Sequence, residues 1–142
     1  MRKVSDILKR KGSHVESVQS ELTVIDALRL MADKNIGSVA VVLNDKFVGL
    51  MTERDYSRKI ILKGRSSNET TVGEIMNTDY PAVTQNDTVE HCMQLLSSKN
   101  IRYLPVIEHG KLSGIISIND VVKETILTQE ETIEHLQNYI HS

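Results

Sequence analysis

The chain has 142 residues, 39% of them hydrophobic and 25% charged, with a formal net charge of −2. This supports one domain, or two half-size units sharing a core, and excludes a nucleic-acid partner held mainly by electrostatics. A single cysteine, Cys92, excludes an internal disulfide and fits a reducing compartment.

In chain order, the charged opening MRKVSDILKRKG lacks the apolar core of a signal peptide. No run approaches the ~20 apolar residues of a membrane span, so the expected location is cytoplasmic, with no membrane partner. VSDIL and HVESV lead to Thr23, a hydroxyl placed to cap a helix whose apolar residues Val24, Ala27, Leu28 and Met31 fall on one face. SVAVVL and FVGLM follow, joined by Asn44-Asp45-Lys46, and read as an antiparallel hairpin. The hairpin runs into GLMTERD, Gly49 to Asp55, where a second helix begins. That helix ends in a basic stretch, Arg58, Lys59, Lys63 and Arg65, with Gly64 as a C-cap. Cations there complement the helix dipole, or contact a longer phosphate tail.

TVGEIM and a short strand at YPAVT open the second half. Thr88 caps a stripe of Val89, Cys92, Met93 and Leu96. YLPVI and LSGII form a hairpin around Glu108 to Lys111, and GIISIND, Gly114 to Asp120, starts the last helix. TQEETIEHLQNYIHS extends that helix with an apolar stripe, Ile126, Ile133, Leu136 and Ile140, of the kind that packs on its own domain or on a second protomer.

The chain is therefore written twice. A slide of 65 residues carries Gly49 onto Gly114 and superposes Val18 on Val83, Thr23-Val24 on Thr88-Val89, Lys34-Asn35-Ile36 on Lys99-Asn100-Ile101, and Asp55 on Asp120. Units this small seldom bury enough surface alone. The expected fold is α/β of the α+β type: two β-α-β-β-α repeats related by a pseudo-twofold axis and packed sheet to sheet. Residues 1–66 are expected to form the first repeat with its N-terminal helix, 67–128 the second, and 129–142 a C-terminal helical extension.

The repeated Gly-x-x-Thr/Ser-x-x-Asp has two readings. Thr52 with Asp55, and Ser117 with Asp120, have the form of a helix capping box, although the box prefers the longer Glu or Gln. The same atoms suit a ligand: free amides at a helix start favour phosphate, and a fixed carboxylate accepts from ribose hydroxyls. The readings are compatible, since a cap can shape a site.

These repeats, with IGSVAVVL before GLMTERDYSRK and IRYLPVI before GIISINDVV, resemble a tandem pair of CBS domains, named after cystathionine β-synthase, over about Val4 to Leu127. The chain is similar to a stand-alone subgroup consisting of little beyond one pair. The resemblance implies a non-catalytic regulatory, energy-sensing module binding AMP, ADP or ATP, and in some members NAD(H) or S-adenosylmethionine, in clefts between the repeats. No cofactor is required. It implies ribose contacts at Asp55, Thr52, Asp120 and Ser117. Phosphate contacts are implied at Arg54, Gly37 and Ser38 for the Asp120 cleft, and at Arg102, Tyr103 and Asn119 for the Asp55 cleft. Adenine would lie near Ser17, Val18, Tyr80, Pro81 and Ala82, with Met51 or Ile116, and Arg58, Lys59 and Arg65 are further phosphate candidates. Because Asn119 stands where the first copy has Arg54, the Asp120 cleft is expected to be the better phosphate site. Ala40 replaces the proline found at Pro105. A homodimer and an unidentified protein target are implied as partners.

The residues give little support to catalysis. No nucleophile elbow or Walker loop is present, Cys92 occupies the core-facing slot of Ala27, and His14, His91, His109, His135 and His141 lack the close pairing of a zinc site. The competing hypotheses are a ligand-free dimerisation or scaffold module, in which the motif is only a cap, and an enzyme acting on a nucleotide.

Overall fold

Thr23 and Thr88 cap as their positions require. Thr23 Oγ1 accepts from the Asp26 amide (3.4 Å) and Thr88 Oγ1 from the His91 amide (3.1 Å), starting α2 (Val24–Lys34) and α5 (Val89–Lys99). Both helices end on a left-handed asparagine, Asn35 (φ 54°) and Asn100 (φ 53°), a residue that tolerates this conformation. The computed structural model describes residues 2–141. It is a mixed α/β structure in which α1 (Val4–Lys11) and β1 (Ser17–Val18) precede α2. The hairpin β2 (Ser38–Leu43) and β3 (Lys46–Thr52) follows, then α3 (Glu53–Tyr56), which continues into a π-helical stretch at Ser57–Ile61. After α4 (Val72–Ile75) and α5 come β4 (Tyr103–Glu108), β5 (Lys111–Ser117) and α6 (Ile118–His141).

The chain divides into two compact units. One comprises His14–Tyr80 with Glu108–Ser113. Its sheet has the order β1-β2-β3, with β1 parallel and β3 antiparallel to β2 and a bulge at Val41/Val42. Val18, Val24, Ala27, Met31, Val39, Val41, Met51 and Ile60 form its core. The other unit comprises the N-terminal residues through Ser13, Pro81–Ile107 and the chain from Gly114 onward. Its core includes Val83, Val89, Cys92, Leu96, Leu104, Val106, Ile116 and Val121 around the β4–β5 hairpin.

The compact units are not the sequence repeats themselves, because the helix ahead of each repeat joins the core of the other. In α1, Val4, Ile7 and Leu8 are buried with Leu104 and Ile116 of the second copy. In α4, Val72 and Ile75 are buried with Met51 and Ile60 of the first. The motif glycines make room for these helices. A Cβ on Gly49 would sit 3.0 Å from the Asn77 carbonyl oxygen and from Met76 Sδ, and one on Gly114 would sit 2.8 Å from a Leu8 methyl. Packing thus requires glycine at 49, against main chain, and favours it at 114, against a side-chain tip.

The strand expected at YPAVT is reduced to a single parallel bridge, Val83 to Val106. Pro105 supplies the reason. In the first copy the Ala40 amide donates to the Glu16 carbonyl (3.2 Å) and extends the β1–β2 ladder. Proline at the matching position has no N–H to give.

Candidate functional site

In each unit a strand runs into a short capped turn that carries the repeated acid. In the first copy, the Thr52 amide and hydroxyl donate to Asp55 Oδ2 (3.0 and 3.1 Å), and the Asp55 amide donates back to Thr52 Oγ1 (3.1 Å). In the second, the Ser117 amide donates to Asp120 Oδ2 (2.8 Å) and the Asp120 amide to Ser117 Oγ (3.2 Å). Both motifs are therefore reciprocal capping boxes, formed with aspartate in place of the usual longer acid. Thr52 and Asp55 are buried, and Asp120 is partly so.

Each acid also faces a lysine that is tied to a main-chain carbonyl. Lys59 Nζ lies 3.3 Å from Asp55 Oδ1 and donates to the carbonyl of Ile75, in α4 (2.8 Å). Lys11 Nζ, at the end of α1, donates to Asp120 Oδ2 (2.7 Å) and to the Ile115 carbonyl (2.9 Å). In both copies the acid is coupled through an ammonium group to the helix exchanged between repeats. Lys59 belongs to the basic stretch read from the sequence. Lys11 was missed as a site residue, and its only signal is the basic run Lys9-Arg10-Lys11.

Burial alone pushes the Asp120 carboxyl upward, but the Lys11 ammonium and the Ser117 amide and hydroxyl outweigh it and hold the pKa below the ordinary 3.8. A lowered folded-state pKa gives stability that is complete above the ordinary value and is lost as pH falls through the lowered one. Asp120→Asn is therefore expected to lower stability at pH 7 by about 1 kcal/mol, the size of a net hydrogen bond to a partly buried ion. The gap from wild type should close as melting curves are taken progressively below the ordinary 3.8. A gap of constant size down to the acid end would assign the loss to something other than this charge.

The remaining expected residues divide between the units. Ser17, Val18, Ser38, Met51, Arg54, Arg58, Arg65 and Tyr80 lie in the unit containing Asp55. Pro81, Ala82, Arg102, Tyr103, Ile116 and Asn119 lie in the unit containing Asp120. Arg58, Arg65, Arg102 and Asn119 are exposed, whereas Ser38 is buried. Met51 and Ile116 have no exposed surface and pack into the two cores, so contact with a base requires them to shift. Cys92 is fully buried, and burial, with a contribution from the Asp87 carboxylate, pushes its thiol up to about 11, far from a reactive thiolate. Among the described residues no group of three His, Cys, Asp or Glu side chains converges; the His141 side chain lies outside those described. A cavity of about 880 Å³ beside α5 and α6, lined by Val89, Met93, Gln94, Thr125 and Thr128, contains neither motif acid.

The CBS domain model matches residues 4–62 and again 72–126. The mitochondrial CBS domain-containing protein CBSX3 of Arabidopsis thaliana is 37% identical over 146 residues, covering 96% of this chain and 71% of its own length. The structure of a protein with CBS domains from Burkholderia ambifaria superposes with a TM-score of 0.85 and 43% identity, over 89% of this chain and 96% of its own. The CBS domain pair of protein MJ0100, solved in complex with 5′-methylthioadenosine and S-adenosyl-L-methionine, shares the fold (TM-score 0.77, 23% identity, 88% of this chain and 96% of its own). No described helix is long and apolar enough to cross a membrane. With two matches to one model across most of its length, the chain belongs to the CBS-domain family.

Proposed function

We propose that the protein is a non-catalytic, cytoplasmic sensor of adenosine-containing nucleotides, AMP, ADP or ATP in the first instance, with NAD(H) and S-adenosylmethionine as further candidates. The observation that carries this reading is the duplicated acid: a shielded carboxylate, fixed by its own cap and facing a lysine, stands at the same place in both copies. An ionised carboxylate offers about four acceptor positions, so an acid already engaged by its cap retains capacity for two ribose hydroxyls. The lysine is the second half of the device. A bound phosphate competes with the carboxylate for Lys59 or Lys11, and each lysine also holds the carbonyl of a helix end or strand end. Occupancy then favours one arrangement of these segments only to the extent that the ligand binds it more tightly. The adenosine ligands bound by the MJ0100 pair support the ligand class. The homodimer belongs to the same reading.

Isothermal titration of wild type, Asp55→Ala and Asp120→Ala with AMP, ATP, NADH and S-adenosylmethionine tests it. Each alanine variant is expected to weaken binding at its own site by about 10–100-fold, the cost of lost hydrogen bonds to a charged acceptor. Two isotherms identical to wild type would remove the assignment. One observation favours a second reading: both boxes are satisfied by protein atoms alone, as a ligand-free scaffold requires. Mass spectrometry of small molecules released from the denatured, purified protein separates the two readings, since a scaffold releases none.

A further inference from the structure

A slide of 65 residues sets Glu124 on Lys59. One helical turn after the motif acid, the first copy therefore carries a base where the second carries an acid. The inversion decides where each acid obtains its cation. Asp55 faces Lys59, four residues along its own helical segment (3.3 Å). Asp120 faces Lys11 (2.7 Å) and Glu124 accepts from Arg10 Nε (2.7 Å), so both cations come from α1. Arg2 extends the series, with Nε 3.9 Å from Glu124 and its guanidinium paired with Glu131. Asp120, Glu124 and Glu131, at i, i+4 and i+11, share one face of α6 and meet Lys11, Arg10 and Arg2 in reverse order. α1 thus runs antiparallel to α6 along a ladder of ion pairs.

The two ends of α1 are attached differently. At its start the Val4 and Ser5 amides donate to the Asp87 and Gln85 carbonyls (2.9 and 3.0 Å). The Val72 and Gly73 amides of α4 make the same bonds 65 residues earlier, to the Leu22 and Ser20 carbonyls (2.8 and 2.9 Å). The last turn of α1 is held through the side chains of Arg10 and Lys11, and the chain then leaves it at Gly12, whose φ of 89° favours glycine. We propose that α1 is a regulatory arm of the Asp120 site: its ladder on α6 positions Lys11, so that loosening the last turn of α1 weakens nucleotide binding at Asp120 and leaves the Asp55 site unaffected. This rests on the adenosine-nucleotide reading of the two motifs. Lys11 Nζ spends two donors on Asp120 and the Ile115 carbonyl, and its third remains for a phosphate. Arg10 and Glu124 act through Lys11 and are positioning residues. Glu124 is the keystone, because its side chain is 1% exposed and one of its oxygens has no hydrogen-bond partner among the described residues. A carboxylate so buried holds Arg10 firmly, since leaving it unpaired is costly.

The test uses the full chain, with Asp55→Ala isolating the Asp120 site and Asp120→Ala isolating the Asp55 site. Glu124→Leu removes the partner of Arg10 without stranding a buried charge, so an unchanged circular-dichroism melt is expected. In hydrogen exchange, the amides of residues 9–12 are expected to exchange about tenfold faster, while those of α4 stay as in wild type. In isothermal titration with ATP, Glu124→Leu is expected to weaken the Asp120 site at least about fivefold, and Lys11→Met about tenfold, the scale of one hydrogen bond to a charged group. Neither changes the Asp55 site. Arg10→Ala with Glu124→Lys moves the cation onto α6, as in the first copy; in that background Lys11→Met is expected to alter ATP affinity less than about twofold. Equal weakening of both sites, unchanged exchange at residues 9–12, or an Asp120 site indifferent to Lys11→Met overturns the role of α1 and leaves the nucleotide reading standing. Absence of ATP binding in both backgrounds overturns that reading, and the regulatory arm with it.

Discussion

Arg10→Ala is expected to destabilise the protein by about 3 kcal/mol in urea unfolding, an unusually large effect for a half-exposed side chain. The cause lies in its partner. The Glu124 side chain is 1% exposed, and Arg10 Nε is its close donor at 2.7 Å. Among the described residues the other carboxylate oxygen accepts no hydrogen bond, and the further cation within 4 Å is Arg2, with Nε at 3.9 Å. Removing Arg10 strands a buried negative charge, which costs far more than the intact pair contributes. The double replacement Arg10→Ala with Glu124→Leu is therefore expected to recover most of the loss. An Arg10→Ala variant within about 0.5 kcal/mol of wild type, the range of ordinary surface changes, would show that water or Arg2 already neutralises Glu124.

The second large effect is an inequality between two glycines that look equivalent in the sequence. Gly49→Ala is expected to cost about 2 kcal/mol by overpacking, and Gly114→Ala less than about 1 kcal/mol. The added methyl at Gly49 meets the Asn77 carbonyl, which is pinned in a two-bond bridge: the Leu50 amide donates to Asn77 O (3.0 Å) and the Asn77 amide to Leu50 O (2.8 Å). The methyl at Gly114 meets the far end of Leu8, which can rotate away. Thermal melts of the two variants decide the matter, and Leu8→Val should relieve Gly114→Ala while leaving Gly49→Ala unchanged. Equal losses at both sites would refute the packing account.

The contrast shows which features were legible in the sequence. Caps at Thr23 and Thr88, the stripes of α2 and α5, the hairpins and the continuous last helix are local and periodic, and a repeat doubles each signal. The capping boxes were legible for the same reason, since Thr52 and Asp55 lie within one turn. What was not legible is long-range. Lys11 and Asp120 are 109 positions apart, and Arg10 and Glu124 are 114 apart, and no spacing rule links them. The exchange of α1 and α4 between cores is hidden likewise, because an amphipathic helix shows that it needs a partner without showing which. Met51 and Ile116, adenine contacts implied by the resemblance, have no exposed surface where the exchanged helices pack on those strand ends, a burial that also depends on long-range packing. The π-helical stretch at Ser57–Ile61 has no compositional mark at all.

The exchange of α1 also bears on synthesis. The buried members of the first core all lie between Val18 and Ile75, so that core draws on one continuous stretch of nascent chain. The second core needs Val4 and Val121 together, and cannot close until Val121 has been synthesised. Until then Val4, Ile7 and Leu8 lack their core partners, and the run Lys9-Arg10-Lys11 beside them is the kind of flanking charge that opposes aggregation of an apolar segment.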